Sequence, residues 1–307
     1  MTLLRKPIVA AMLCGASLGF GQQVADPEFS SRVERPAFPK AHPRVGIDEA
    51  HQNFHTKDGR YKPFAELLRS DGYDVSAAPG FGAASLKSVD ILVIANALGE
   101  TAGSGSGPAF MAVECDAVRD WVRAGGALLL IADHAPFGDA AAILAEKFGI
   151  DMGKGFVADM KHSDGNPTFL AFSTENGLLG NHAILRGRNA RERVGKVVAF
   201  TGQSLSVPRD ATALMKIASD AVEVFTREDL ETIASGGSAG KKMEGRAQGI
   251  AMPFGKGRIA AFGEAAMFSA QVATFEGQSM KMGMNVPGND DRQLALNVMH
   301  WLARLID

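Results

Sequence analysis

Apolar positions recur along the chain with two periods that alternate from Arg44 onward, and the alternation predicts the order of elements. Arg44 to Asp48 opens with a short strand, and Tyr61 to Leu68 then places apolar residues at helical spacing until Asp71-Gly72 stops the run. Tyr73 to Ala77 predicts a second strand. Val89 to Ala97 is almost continuously apolar, as is Ala127 to Ala132, and such runs fit strands buried on both faces of a parallel sheet. Between them Val113 to Ala124 predicts an amphipathic helix ending at Gly125-Gly126, and another helix is expected from Asp139 to Phe148. Further on, Lys196 to Ser206 and Ala213 to Phe225 are strand candidates, Ala247 to Pro253 and Arg258 to Gly263 predict a hairpin about Phe254 to Gly257, and Asp291 to Ile306 predicts a closing helix. The pattern implies an α/β fold with a doubly wound, mostly parallel sheet of flavodoxin-like layering, a C-terminal β-hairpin and a closing helix.

The domain plan follows from where the pattern is absent. Residues 1–21 carry Arg5 and Lys6, a short apolar run from Pro7 to Phe20 and small residues at Gly19 and Gly21, the three parts of a cleavable signal peptide. An exported protein, periplasmic or secreted, is therefore expected, with no stable membrane insertion after cleavage. A lipid anchor on Cys14 fits less well, because Leu13 precedes it where a small residue is needed. Residues 22–43, rich in proline and charge, are expected to form a linker or extended arm, and residues 44–307 a single α/β domain with insertions near 151–181 and 227–246.

Composition narrows the function classes. Of 307 residues, 46% are hydrophobic and 21% charged, enough for a sizeable core, and 32 basic against 34 acidic residues give no electrostatic pull toward nucleic acid. A small-molecule or saccharide ligand is the expected partner. The string Asp48-Glu49-Ala50-His51 spells a helicase box without any phosphate loop before it.

Six segments carry a family likeness: VGIDEAHQNFH (Val45 to His55), DILVIANAL (Asp90 to Leu98), VRDWVRAGGALLLIADH (Val118 to His134), HAILRG (His182 to Gly187), PFGKGRIAAFGEAAMFS (Pro253 to Ser269) and NVMHWLARL (Asn297 to Leu305). Over nearly all of Arg44 to Leu305 the chain resembles uncharacterised bacterial proteins with the class I glutamine amidotransferase-like fold, a group that includes trehalose-utilisation-type and gliding-motility-associated domains. The resemblance implies that fold but not glutaminase chemistry. The strand end where a nucleophilic cysteine would stand reads ADHAP, from Ala132 to Pro136, without a thiol, and Cys115 lies between acidic neighbours that disfavour a thiolate.

What remains is a set of polar residues at expected strand ends, where open α/β sheets bind ligands. Asp48, Glu49, His51, Asn53 and His55 follow the first strand, Asn96 the next buried one, Asp133 and His134 the one after, and Glu264 the last. His51 and His55 are four apart, so on a helical turn both imidazoles would face one ion, with Asp48 supplying an oxygen; a divalent metal is the cofactor this pattern allows. Glu49 and Glu264 are candidate bases for a water nucleophile, with Asp133 and His134 beside them and Asn53 and Asn96 binding substrate. The expectation is a hydrolase using a metal- or carboxylate-activated water; the alternative is a ligand-binding or scaffold module without turnover. His182, expected to cap a turn, and His300, expected to be structural, are left out of this set.

Overall fold

A computed structural model describes residues 23–100, 107–275 and 278–307. The expected signal peptide, Cys14, and most of the glycine-serine run after Ala102 lie outside the described residues.

Seven strands form the main sheet: β1 (Arg44–Ile47), β2 (Asp74–Ala77), β3 (Ile91–Ala95), β4 (Ala127–Ile131), β5 (Thr212–Lys216), β6 (Ala247–Phe254) and β7 (Gly257–Phe262). Their order is β2-β1-β3-β4-β7-β6-β5. The block from β2 to β7 is parallel, and β6 is antiparallel to both of its neighbours. The hairpin expected about Phe254 to Gly257 is thus the connection that turns the sheet antiparallel at its far edge.

The near-continuous apolar runs follow from burial on both sides. In β3, Ile91, Val93 and Ala95 enter one apolar cluster while Leu92 and Ile94 enter another; in β4, Leu129 and Ile131 part in the same way from Leu128 and Leu130. The first cluster takes in Phe64, Leu67 and Leu68 of helix α1 (Lys62–Ser70) and Leu294, Val298 and Met299 of the closing helix, while the second takes in Val118 and Val122 of α2 (Ala112–Ala124) and Leu144 of α3 (Phe137–Glu146). The apolar residues recur three and four apart on these helices, so each presents one stripe to the sheet. Helix α2 ends at Gly125, whose φ of +131° no residue with a Cβ adopts comfortably, as the Gly125-Gly126 stop implies.

The two segments read as insertions carry structure of their own. Residues 151–181 hold the strands Phe156–Ala158 and Ala171–Ser173, paired with Val222–Val224 and Lys196–Val198. Residues 227–246 hold helix α4 (Arg227–Ala234), opened by a Thr226 cap that accepts from Asp229 N. The closing helix, α5 (Asp291–Leu302), ends four residues sooner than its pattern suggests.

The N-terminal arm runs along the domain rather than away from it. Gln23–Ala25 pairs antiparallel with the strand Ala270–Phe275. Phe29, Val33 and Phe38 pack on the first core cluster, and Asp71 fixes the arm by accepting from Ala37 N at 2.8 Å. No helix among the described residues is long and apolar enough to cross a membrane.

Candidate functional site

The carboxyl ends of β1, β3, β4 and β7 converge, and the polar residues that follow them form two adjoining groups. Their division depends on how the chain leaves β1. Asp48 accepts from Ala50 N, and Asn53 Oδ1 accepts from His51 N at 3.1 Å, so side chains take the backbone donors that a helix would need. Gln52 then turns into the left-handed region at φ +49°. The helical turn expected over His51 to His55 does not form, and the two imidazoles go to different partners.

His51 belongs to a buried ionic group. Its Nδ1 lies 2.9 Å from both Asp48 carboxylate oxygens, and its Nε2 lies 3.3 Å from Glu114 Oε1 on α2. Desolvation alone would lower the pKa of this ring, but the hydrogen bonds and charges of Asp48 and Glu114 outweigh it and raise the pKa. Both nitrogens are thereby committed to carboxylates, leaving no lone pair for an ion. Asn53 Nδ2 completes the group by donating to Asp48 Oδ2 at 3.0 Å, and Phe81 and Phe110 flank the ring. Glu49 spends an oxygen on Lys57 N at 2.7 Å and so closes the loop between them.

His55 belongs to the second group, organised by Asn96. The Asn96 backbone is also left-handed, at φ +49°, a conformation asparagine tolerates better than most residues. Asn96 Oδ1 accepts from Asp133 N at 2.9 Å, which fixes the amide orientation; Nδ2 must then donate to His55 Nδ1 at 3.2 Å. His55 is accordingly neutral with its proton on Nε2, and burial, aided by the Arg60 charge, pushes its pKa down to about 3. An ion shared by Asp48, His51 and His55 does not fit these hydrogen bonds.

Asp133 and Glu264 are the acidic pair of this second group. Glu264 is fully buried, and its two oxygens accept from Ala266 N at 2.6 Å and Met267 N at 2.9 Å. Burial and the Asp133 charge hold its pKa well above the usual carboxylate range. Asp133 is only half-buried, and desolvation raises its pKa too, against the lowering effect of its hydrogen bonds. The Asp133 charge opposes ionisation of Glu264, so the two carboxyls titrate as a pair. His134 turns aside: its Nδ1 donates to Ala135 O at 2.8 Å and its ring stacks on Phe156 at 4.3 Å.

Four residues at this site carry no sequence signal. Arg60, in the loop before α1, lays its guanidinium 3.6 Å from the Phe54 ring centroid, and its buried Nη1 has no hydrogen-bond partner. Burial lowers its pKa to about 10 against the opposing charge of Asp133. Tyr61 is buried beneath His55, with the ring centroids 4.7 Å apart, and donates to Ala265 O. Gln203 Nε2 donates to Ala132 O at 2.7 Å, and Thr201, a β-branched residue, is held at φ +71°. Strain of that kind collects at functional sites.

A separate group lies in the loops beside the paired strands Phe156–Ala158 and Val222–Val224. Asp159, His162 and Asp220 bring ligand atoms within 4.8 Å of one another and could hold a metal ion. Asp159 Oδ2 lies 2.9 Å from His162 Nδ1, and Lys161 pairs with Asp220.

Elsewhere, His182 caps its turn by accepting from Ile184 N, and His300 is buried against Asp71 at 2.7 Å. Cys115 is buried in α2, and burial pushes its thiol up to about 11.

No protein-family model matches the chain, and no curated protein matches it significantly in sequence. Among solved structures, the mmIFT52 N-terminal domain is similar in fold, with a TM-score of 0.57 and 17% identity over 84% of this chain and 96% of that one. Structure neighbours also include a cytoplasmic protein from Salmonella typhimurium (TM-score 0.47, 14% identity, 85% and 98% covered) and a ThuA-like protein from Parabacteroides merdae (0.44, 13%, 86% and 90%). At these identities the likeness is one of fold.

Proposed function

We propose that this chain is an exported hydrolase of a doubly wound, amidotransferase-like fold, in which Asp133 activates a water molecule for attack on a small-molecule or saccharide-like substrate. One observation carries the reading: a partly exposed carboxyl with a raised pKa acts electrostatically on a buried acidic neighbour, Glu264, and on the half-buried Arg60, whose Nη1 is buried without a hydrogen-bond partner. A carboxyl whose pKa is lifted toward neutrality is a better proton acceptor than an ordinary one. An unpaired, buried guanidinium nitrogen is placed to receive negative charge that develops on an attacked oxygen. Glu264 acts through Asp133, keeping the pair's charge low, and His55, held neutral by Asn96, adds no competing cation.

The arrangement supports carboxylate rather than metal activation. His51 is occupied by Asp48 and Glu114, and the Asp159, His162 and Asp220 group stands in loops of a different sheet from the strand that Asp133 follows.

A panel of ester, lactone, amide and glycoside substrates tests the reading. One class should be turned over by protein treated with a chelator. Asp133→Asn should then slow it by about 10²- to 10⁴-fold, and Arg60→Met by about 10²- to 10³-fold. Saccharide binding without turnover by the wild-type protein would favour the ligand-binding module instead. Loss of activity on chelation would return the metal to the mechanism.

A further inference from the structure

A second site lies away from the ends of β4 and β7. A trough of about 1190 Å³ runs beside α5, lined by Arg292, Gln293, Leu296 and His300 of that helix, by the arm from Ser30 to Pro36, and by the turn from Arg188 to Glu192. None of the residues of the Asp133 group lines it.

Its charge sets it apart from the rest of a protein whose formal charge is only -2. Five guanidinium groups, Arg32, Arg35, Arg188, Arg191 and Arg292, face three carboxylates, Glu34, Asp71 and Glu192. Two of the carboxylates are already spent. Glu192 pairs with Arg188 at 2.6 Å, and Asp71 accepts from His300 Nε2 and Ala37 N. Arg292 is partly buried, and its Nη2 donates to Arg32 O, tying the helix to the arm. Arg32, Arg35 and Arg191 have no carboxylate partner among the described residues, so with Glu34 the one unspent carboxylate the trough keeps a surplus of cation.

The floor supplies an independent sign of a missing ligand. His300 is 1% exposed, yet its Nδ1 has no hydrogen-bond partner while Nε2 is held by Asp71. A buried polar atom without a partner costs about 1–3 kcal/mol and is ordinarily satisfied by a protein group, an ordered water or a ligand.

We infer that this trough binds a small organic polyanion, a molecule bearing a phosphate, a pyrophosphate or several carboxylates together with a hydroxyl or other polar group that reaches His300 Nδ1. The guanidinium fork suits paired anionic oxygens. The volume exceeds that needed for a lone inorganic ion and lies somewhat above the roughly 300–1,000 Å³ usual for small-molecule sites, room enough for a ligand of nucleotide or sugar-phosphate size.

The probes are pyrophosphate and citrate, titrated calorimetrically into the full-length protein at low ionic strength, with chloride at matched ionic strength as the control. Saturable binding of one equivalent is expected, weakened about tenfold by Arg35→Ala or Arg191→Ala and about a hundredfold by the double variant. Both positions are exposed, so circular dichroism should show folding unchanged. Arg191→Lys should recover only part of the affinity, since the charge returns without the fork. His300→Phe should weaken citrate, which has a hydroxyl, more than pyrophosphate. Heat no greater than the chloride control, or equal affinity in the double variant, would overturn the inference. So would failure of both probes alongside tight binding to phosphatidylserine vesicles or duplex DNA, which would make the trough part of a macromolecular surface.

Discussion

Replacing His55 with glutamine changes the pH dependence of stability in a way whose sign and size follow from the site. In the folded protein the ring is buried against Tyr61 and Phe54, Asn96 donates to Nδ1, and Arg60 is the cation that faces it; its pKa falls from the ordinary 6.5 to about 3. In the unfolded chain the ordinary value returns. A pKa depressed on folding means that stability is fully present above 6.5 and is lost as pH falls from 6.5 toward 3. At pH 5 the unfolded imidazole is almost wholly protonated and the buried one is not. At about 1.36 kcal/mol for each pH step below 6.5, the loss there is about 2 kcal/mol. Glutamine can still accept from Asn96 Nδ2 but does not titrate. Urea unfolding at pH 7.5 and pH 5.0 should therefore show wild-type stability falling by about 2 kcal/mol more than that of His55→Gln, although the variant starts about 1–3 kcal/mol lower for lost packing. His182, lowered to about 4 by burial and nearby arginines, titrates in both proteins and cancels. Parallel curves for the two proteins would show that His55 is not buried in its neutral form.

Other consequences can be checked separately. Cys115→Ala should leave any turnover unchanged and cost about 1 kcal/mol in packing, and the native thiol should resist alkylation at pH 7.5 until the protein is unfolded. Gly202→Ala should destabilise by about 1–3 kcal/mol, because its Cβ would stand 2.4 Å from Gly263 O and 2.7 Å from Glu264 Cβ; an unchanged unfolding midpoint would contradict the packing described there. Expression in a bacterial host should yield periplasmic protein whose N-terminal sequence begins near Gln22, whereas an intact Met1 in the membrane fraction would refute export.

The parts of the molecule legible in the sequence are those fixed by short-range pattern. The buried runs at Ile91–Ala95 and Ala127–Ile131 could hardly be anything but central strands, and the ends of those strands and of Gly257–Phe262 located Asn96, Asp133 and Glu264. The His51 and His55 pairing failed because spacing says nothing of side chains that capture backbone donors: Asp48 and Asn53 prevent the helical turn on which a shared ion depended. Glu114 lies 63 residues beyond His51 on a helix whose rotation only the packed core determines. Arg60 sits in a stretch, Lys57 to Arg60, that reads as a solvated turn. Its role appears only once the fold carries it over Phe54 and toward Asp133. Gln203 and Thr201 fall in the Lys196 to Ser206 run read as a strand, of which only Lys196–Val198 forms one, and the close approach of Gly202 to Gly263 brings them to the strand ends.

The proposal turns on the Asp133 and Glu264 carboxyls acting as a coupled pair, and titrating their side-chain carbons by NMR in carboxyl-labelled protein measures this directly. Both should titrate above the ordinary carboxylate range, and Asp133→Asn should lower the midpoint of Glu264, because the charge that opposes its ionisation is gone. Two independent midpoints between about pH 3 and 5, with Glu264 unmoved by Asp133→Asn, would contradict it.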